Sequence, residues 1–579
     1  MELSGGEAIG RILKEYHVSH VFTLSGGHIS PILVGCKKNG IHVVDVRDEG
    51  NAVFAADATA RITGIPGVAV VTAGPGVTNT ITALKNAQMA QSPLVLLGGA
   101  AATVIKGRGS LQDIDQISLV KSTVKFAVSI NQNCDIVPAI EHAFRKARSG
   151  VPGPVFVECP IDLLYDEALV RSWYESSGNK PSKGLKSRVF QFYLNRHLDK
   201  IFECTLDTME PEPPEETVSK HDTGKLEKAL RLLAGAEKPV LLVGSQAMLY
   251  PDKADDLARS VSSLNIPVFL TGMARGLLGP SSSFQIRHHR KKALKAADVV
   301  IIAGMPCDFR LGYGRAINSA ATLISVNRNK KDLTMNRKPD LGILGDPCGF
   351  LCDLSDRPFT KPDAWRQWLA TLQESDKERE AEIDNMAAEP TELINPLAFF
   401  KEMDAVLDDN SILVADGGDF VGTSSYILRP RKPLSWLDPG VFGTLGVGGG
   451  FAMGAKLMKP ESEVWLIYGD GSAGYSLQEF DTMVRHGIPV IGVVGNDASW
   501  AQIARDQVDV LGDDVATVLR RSDYHLVAEG FGAKGLLVKA PDQVRPALET
   551  AKELAGKGIP VLINVHLGRT DFRKGSISM

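Results

Sequence analysis

The chain contains no run of about 18 apolar residues, the length a helix needs to cross a bilayer, so no membrane span is read from it. Its opening residues, "MELSGGEAIGRILKEYHV", lack a charged leader followed by an apolar core, so no secretion signal is read there. Neither sign of charge dominates. Lys and Arg number 64 against 68 Asp and Glu, a net charge of −4, which advertises no polyanion-binding face and excludes nucleic acid as an expected partner. Cysteine is sparse, with seven in 579 residues (36, 134, 159, 204, 307, 348 and 352). An odd count with no short repeating framework predicts reduced thiols in a cytosol-like compartment. Cys348 and Cys352 form a lone C-x3-C without a second pair, which reads as two buried apolar residues and not as a zinc site.

What is present is the composition of an ordinary soluble globular protein, 44 % apolar and 23 % charged, long enough for about three or four domains. Short β-branched runs closed by glycine or proline recur along it. "HVFTLSG", "IHVVDVR", "GVAVVTAGPG", "SPLVLLGG" and "GPVFVECP" lie in residues 1–170. "PVLLVGSQ", "IPVFLTG", "DVVIIAG" and "TLISVNR" lie in 222–358, and "SILVADGG", "VWLIYGDG", "IPVIGVVGND" and "PVLINVHLG" in 394–579. Continuous apolar strands between amphipathic stretches require a parallel sheet covered on both faces. The fold expected is α/β, with three consecutive doubly wound parallel-sheet domains. Residues 171–221, with the acidic, proline-rich "TMEPEPPEETVSKHD", read as a solvated linker that carries an amphipathic helix. That helix places Phe190, Tyr193, Leu194, His197, Ile201 and Phe202 largely on one face, for docking on the protein itself or a subunit, or alternatively on a membrane surface. Residues 359–393 read as a charged helical connector.

The segment "VWLIYGDGSAGYSLQEF" (464–480) carries the most chemistry. Gly469, Gly471 and Gly474 spell G-x-G-x-x-G, and Asp497 closes the next strand, which allows a dinucleotide turn and NAD. Asp470 argues otherwise, because a carboxylate beside a pyrophosphate repels it unless a cation intervenes. Magnesium prefers about six oxygen ligands and commonly joins a carboxylate to substrate phosphates. Asn496, 26 residues on at the end of the next strand, is placed to supply a second oxygen and the Ala498 carbonyl a third. Gly471 and Ser472 would offer backbone N–H groups to a diphosphate.

The spacing G-D-G, 24 residues, then Asn496 resembles the cofactor motif of the thiamine diphosphate-dependent superfamily that includes acetolactate synthases, pyruvate decarboxylases and 2-hydroxyacyl-CoA lyases. The usual Asn-Asn is Gly495-Asn496 here, so the second asparagine, the ligand, is kept. The resemblance implies thiamine diphosphate and Mg2+, and an acid in the first domain that primes the cofactor's pyrimidine. "IHVVDVRDEGNAVFAADATAR" supplies Glu49 in the matching position, and "GGHISP" and "TAGPGVTNT" match the same domain's glycine turns. "DPGVFGTLGVGGGFAMGAK" resembles the segment that bends the cofactor, with the Gly443 carbonyl accepting from its amino group and Leu445 beneath it. "VADGGDFVGT", with Gly417, Gly418 and Asp419, resembles the loop flanking the diphosphate, and Asp497 is then structural. Because Glu49 and Asp470 belong to different domains, the resemblance implies a homodimer or homotetramer with the active site at the subunit interface.

The resemblance runs nearly the full length and is closest to the 2-hydroxyacyl-CoA lyase and acetolactate synthase-like branch, through "NAQMAQSP", "GMARGLLG", "EFDTMVRH" and "GRTDFR". It implies cleavage of an acyl-CoA substrate, a 2-hydroxyacyl-CoA, to formyl-CoA and an aldehyde one carbon shorter. Gln112 matches a polar position near substrate, or makes a loop hydrogen bond. The rival activity is acetolactate synthesis from 2-keto acids, whose middle domain holds FAD. Arg290 and Arg310 resemble arginines that contact ADP or part of CoA in lyases. Asn327 in place of an aspartate and Pro306 in place of an arginine depart from that pattern, and FAD is disfavoured. A cofactor-free scaffold is opposed by the joint presence of Glu49, Asp470 and Asn496. The residues themselves read as cytoplasmic, whereas relatives with a membrane segment upstream imply association with the endoplasmic reticulum.

Overall fold

The computed structural model describes residues 3–176, 185–209 and 223–575. Its contacts divide the chain into two compact units, one of residues 1–60 and 65–217, the other of 61–64 and 218–579. The first contains one parallel sheet and the second contains two.

In the first unit, β1 (His20–Leu24), β2 (His42–Asp45), β3 (Gly67–Val71), β4 (Leu94–Ala100), β5 (Phe126–Ser129) and β6 (Pro154–Pro160) pair in the order β2-β1-β3-β4-β6-β5. Every pairing is parallel. Parallel neighbours cannot be joined by a tight turn, so each connection crosses a face of the sheet, usually as a helix, and both faces are buried. The central strands β3, β4 and β6 accordingly have no exposed residue. Each fully buried Val, Leu or Ile contributes about 1.5–3 kcal/mol.

The second unit holds β7 (Pro239–Val243), β8 (Val268–Leu270), β9 (Val299–Ala303), β10 (Thr322–Asn327) and β11 (Leu341–Leu344) in the order β11-β10-β9-β7-β8. It also holds β12 (Ile412–Ala415), β13 (Trp436–Leu437), β14 (Val464–Gly469), β15 (Ile491–Asn496), β16 (Lys534–Val538) and β17 (Val561–His566) in the order β13-β12-β14-β15-β17-β16. Three parallel α/β sheets are therefore present, as the recurring apolar runs require. The first and third share one strand order, and each reverses direction beside its first strand. At such a reversal two loops part above the carboxyl edge and leave a crevice, where ligands of open α/β sheets bind.

Two expectations from the sequence need correction. The amphipathic helix docks on the protein itself, as one of the two readings expected, and the solvated-linker reading does not extend over residues 185–209. Helix Leu185–Ile201 buries Leu194, Leu198 and Ile201 in the first sheet's core, with Leu206 after it. The buried stripe keeps Leu194 and Ile201 of the expected face, whereas Tyr193 is 54 % exposed and His197 and Phe202 are half-buried. The Phe190 side chain and most of the "TMEPEPPEETVSKHD" stretch lie outside the described residues. His197 Nε2 meets Thr103 Oγ1 at 2.8 Å, and Thr103 Oγ1 donates to buried Asp162 (2.6 Å).

The thiols are also not all reduced. Cys134 and Cys204 form a disulfide, with Cα atoms 5.2 Å apart across 70 residues of sequence. Helix Leu185–Ile201, by folding back on the sheet, delivers Cys204 to this partner. Asn133 fixes it from both sides, accepting from Cys204 N (3.1 Å) and donating to its carbonyl. No described helix is long and apolar enough to cross a membrane. The expected connector is helix Ala364–Ala388, which packs Trp365, Trp368, Leu372 and Ile383 inward.

Candidate active site

In the first unit the loops after β1 and β3 flank the reversal point. They approach so closely that a Cβ on Gly26 would lie 2.4 Å from Thr72. Glu49 opens helix Glu49–Thr63 just past β2 and is only 6 % exposed. Its Oε2 accepts from Asn79 Nδ2 at 3.0 Å, and its Oε1 lies 3.6 Å from where a Gly76 Cβ would stand, so the glycine turn shapes the space around the acid. Gln112, with φ +61°, sits against the same turn, its carbonyl 2.8 Å from the Cβ position of Gly74. Gln116 ties that turn down, accepting from Gly74 N (2.9 Å) and donating to buried Glu158 (2.9 Å).

The third sheet gathers the other expected residues at its carboxyl edge. Ala415 pairs with Ile467 and Gly469 with Gly495, so the loops after β12, β14 and β15 stand side by side. Gly417, Gly418 (φ +104°) and Asp419 follow β12, Asp470, Gly471 and Ser472 follow β14, and Asn496 ends β15. A Cβ on Gly417 would fall 2.3 Å from the Leu445 side chain, while among the described residues nothing lies within 4 Å of the Cβ position of Gly443 (φ +65°).

Desolvated carboxylates and an unpaired amide oxygen set the electrostatics of this edge. Asp470 is 3 % exposed, and burial pushes its carboxyl up to about 6 against the N–H groups of Gly471 (2.8 Å) and Ser499 (3.3 Å), which favour the charged form. Burial likewise pushes Asp497 up to about 7, with the charges of Asp470 and Asp419 adding to it. Asn496 is fully buried. Its Nδ2 donates to Ser522 O (3.1 Å) and Asn564 Oδ1 (3.2 Å), whereas its Oδ1 has no partner among the described residues. An orphaned buried acceptor costs about 1–3 kcal/mol, and a metal ion beside it would remove that cost. Ala498 takes φ +58°, a strained setting for a Cβ residue in the turn that carries its carbonyl. These donors, all oxygen and clustered around a desolvated carboxylate, fit Mg2+ and the phosphates it joins.

A third cluster lies in the second unit, where a cavity of about 1350 Å³ is lined by Arg275, Arg287, Arg290, Lys291, Arg310 and Arg315, among others. Arg290 donates to the Arg310 carbonyl (2.9 Å), and the Arg310 guanidinium forks onto Asp308 (2.7–3.1 Å). Burial lowers the pKa of Arg275, Arg287 and Arg290, and mutual repulsion with neighbouring arginines adds to it at Arg287 and Arg290. Glu380 and Asp308 neutralise Arg287 and Arg310 in part.

Comparison with known proteins agrees with all three sheets. The description "Thiamine pyrophosphate enzyme, N-terminal TPP binding domain" matches residues 3–119, the central domain of the same enzymes matches 226–354, and their C-terminal TPP binding domain matches 416–565. The chain belongs to the thiamine pyrophosphate enzyme family.

Among relatives in this family, 2-hydroxyacyl-CoA lyase 2 of Danio rerio is 50 % identical over 99 % of this chain and 93 % of its own length. The Homo sapiens protein of the same name is 48 % identical over 99 % and 92 %. A probable acetolactate synthase of Mycobacterium bovis is more distant, at 34 % over 97 % and 95 %.

Several neighbours of this family's cofactor motifs were not foreseen. Asp416 accepts from Gly446 N and Gly448 N, Tyr524 donates to the Asp470 carbonyl (3.2 Å), and Arg505 and Arg573 pair with Asp419. Asp416 opens the legible string "DGGD". Asn79 lies within the quoted "TAGPGVTNT", whereas Ser522 and Asn564 carry no local signal, because only the fold brings them to Asn496.

Proposed function

We propose that this chain is a thiamine diphosphate- and Mg2+-dependent carbon–carbon lyase that cleaves a 2-hydroxyacyl-CoA to formyl-CoA and an aldehyde one carbon shorter. The reading is carried by 48–50 % identity, over 99 % of the chain, to proteins named 2-hydroxyacyl-CoA lyase 2. The orphaned Asn496 Oδ1 beside the desolvated Asp470 supports the cofactor half of it.

Thiamine diphosphate, when bound, supplies a nucleophilic carbon that can hold the electron pair of a broken C–C bond. The protein's part is to hold, orient and move protons. Asp470, Asn496 Oδ1 and the Ala498 carbonyl would ligate Mg2+. The backbone of Gly471 and Ser472, with Gly417, Gly418 and Asp419, would border the diphosphate. The Gly443 carbonyl would accept from the cofactor's amino group, and Leu445 would support its fold. Glu49, oriented by Asn79, would share a proton with the pyrimidine ring from its carboxyl oxygen, and burial keeps competing water away from it. Gln112 would contact substrate beside the Gly74 turn. The arginine-lined cavity would take ADP or the nucleotide part of CoA through Arg290 and Arg310, and FAD is disfavoured. A homodimer or homotetramer would bring the acid of one copy to the cofactor of another.

The deciding assay offers 2-hydroxyacyl-CoAs of several chain lengths, and separately pyruvate, with Mg2+ and thiamine diphosphate. Aldehyde and formyl-CoA are expected, and acetolactate without aldehyde would overturn the reading. Glu49→Gln should still take up cofactor but lose turnover, whereas Asp470→Ala should lose cofactor uptake in calorimetry.

A further inference from the structure

Helix Pro347–Ser355, which packs against helix Ala254–Ser263 at the central sheet, carries two free thiols on successive turns, Cys348 and Cys352. Both line a cavity of about 910 Å³, separate from the arginine-lined one, whose walls also include Lys253, Arg259 and Ser260. Cys348 is 1 % exposed and Cys352 is half-buried, so one thiol is reachable and its partner is sheltered behind it. Positions four apart on a helix share a face and set Cα atoms about 6 Å apart, inside the roughly 4.4–6.8 Å that a disulfide spans.

We propose that Cys348 and Cys352 form a peroxide-reactive dithiol, with Cys352 as the nucleophile and Cys348 as the resolving thiol, that closes to a disulfide within one helix. The Cys352 thiolate attacks an oxygen of a hydroperoxide. The S–O bond forms, the O–O bond breaks, and the departing alkoxide takes a proton and leaves as an alcohol. The Cys348 thiol then attacks the sulfenic sulfur, the S–S bond forms, the S–O bond breaks and water leaves. Two thiols lose two electrons and the hydroperoxide gains them.

The surroundings select Cys352 for this role. Pairing with the Cys348 thiol on the same helix face, helped by the Ser260 hydroxyl, holds the Cys352 thiol below the usual range against burial and the charges of Asp256 and Asp356, and the same pairing together with burial pushes Cys348 up. Lys253, Arg259, Asp346 and Asp353 face the same cavity. A larger share of Cys352 than of an ordinary cysteine is then thiolate at neutral pH. The other free thiols go the opposite way, since burial pushes Cys36 up to about 12, Cys307 to about 11 and Cys159 higher still. Closure must draw together side chains whose Cβ atoms start about 5–6 Å apart, so the helix must tighten. Cys352 lies three residues from the helix end at Ser355, where the last turn can yield.

The test treats the full-length protein with stoichiometric hydrogen peroxide at pH 7 and reads each cysteine by peptide mass. The expected product is a 348–352 peptide lighter by two hydrogens, with Cys36, Cys159 and Cys307 unchanged. Iodoacetamide should label Cys352 roughly tenfold faster in the wild type than in Cys348→Ala, which loses the donor. Under peroxide the Cys348→Ala protein should accumulate sulfenic and sulfinic acid at Cys352. Cys352→Ser should leave Cys348 reduced, with unchanged far-ultraviolet circular dichroism as the folding control. Labelling of Cys352 at the rate of Cys307, or both thiols remaining titratable after peroxide, would overturn the proposal.

Discussion

The Asp416 carboxylate accepts hydrogen bonds from the backbone N–H groups of Gly446 (3.0 Å) and Gly448 (2.7 Å), tying the end of β12 to the loop that carries Gly443 and Leu445. A buried side chain is thereby committed to shaping one loop. It is 1 % exposed, and burial pushes its carboxyl up to about 7 despite both donors.

This shift has a sign that can be measured. The folded state holds the Asp416 proton more tightly than the unfolded chain, so the associated stability is complete below about pH 4 and is lost as pH rises through about 7. Asp416→Asn cannot titrate, and its amide N–H₂ faces one backbone N–H, which costs about 1–3 kcal/mol. The stability gap between wild type and variant should narrow between pH 5 and pH 7.5, by up to about 1.4 kcal/mol per pH unit. Thermal melts at the two pH values give the answer, and a widening gap contradicts it.

Asn564 holds the Asn496 amide and has no ligand role in the proposed Mg2+ site. Asn564→Leu should therefore leave the sheet folded but weaken Mg2+ binding about 10–100-fold, the usual loss for a partner behind a ligand. A magnesium titration in the presence of thiamine diphosphate measures it. Unchanged affinity would mean that Ser522 alone holds the amide.

Gly471 lies so close to Trp500 that a Cβ would fall 2.5 Å from the indole. Gly471→Ala should force the ring aside, cost about 1–3 kcal/mol and weaken cofactor uptake. Adding Trp500→Leu should recover much of both losses. Calorimetry on the two variants separates a steric cause from lost backbone freedom, since freedom alone would give no recovery.

The Cys134–Cys204 bond closes a long loop in the first unit. Reduction, or Cys204→Ser, should lower that unit's stability by about 2–5 kcal/mol. The melt of the wild type should respond to reductant and that of Cys204→Ser should not.

The sequence showed the sheets' central strands and hid most of their margins. β7, β9, β14 and β17 read as apolar runs because water is excluded from both of their faces. The runs did not reveal β5, β11, β13 or β16, and none of these is a central strand. Residues of β5 and β16 are mostly half-buried, so no continuous run marks them, and β13 is two residues long. The site divides in the same way. Asp470, Asn496 and the glycine loops of the candidate site sit on contiguous motifs, so they could be proposed from the sequence. Asn564 meets Asn496 only through the pairing of β15 with β17, across 68 residues of sequence. Cys204 reached Cys134 because a helix expected in a linker packs on the first sheet, a long-range event that no local pattern records.

The lone acceptor on Asn496 gives an empty chain a handicap that a loaded one lacks. Mg2+ arriving with thiamine diphosphate would satisfy it, and a bound ligand favours the native state by an amount that grows with the logarithm of its concentration over its dissociation constant. Proteases draw on whatever fraction opens, so cells short of thiamine should clear this protein faster, and its abundance becomes a readout of vitamin supply.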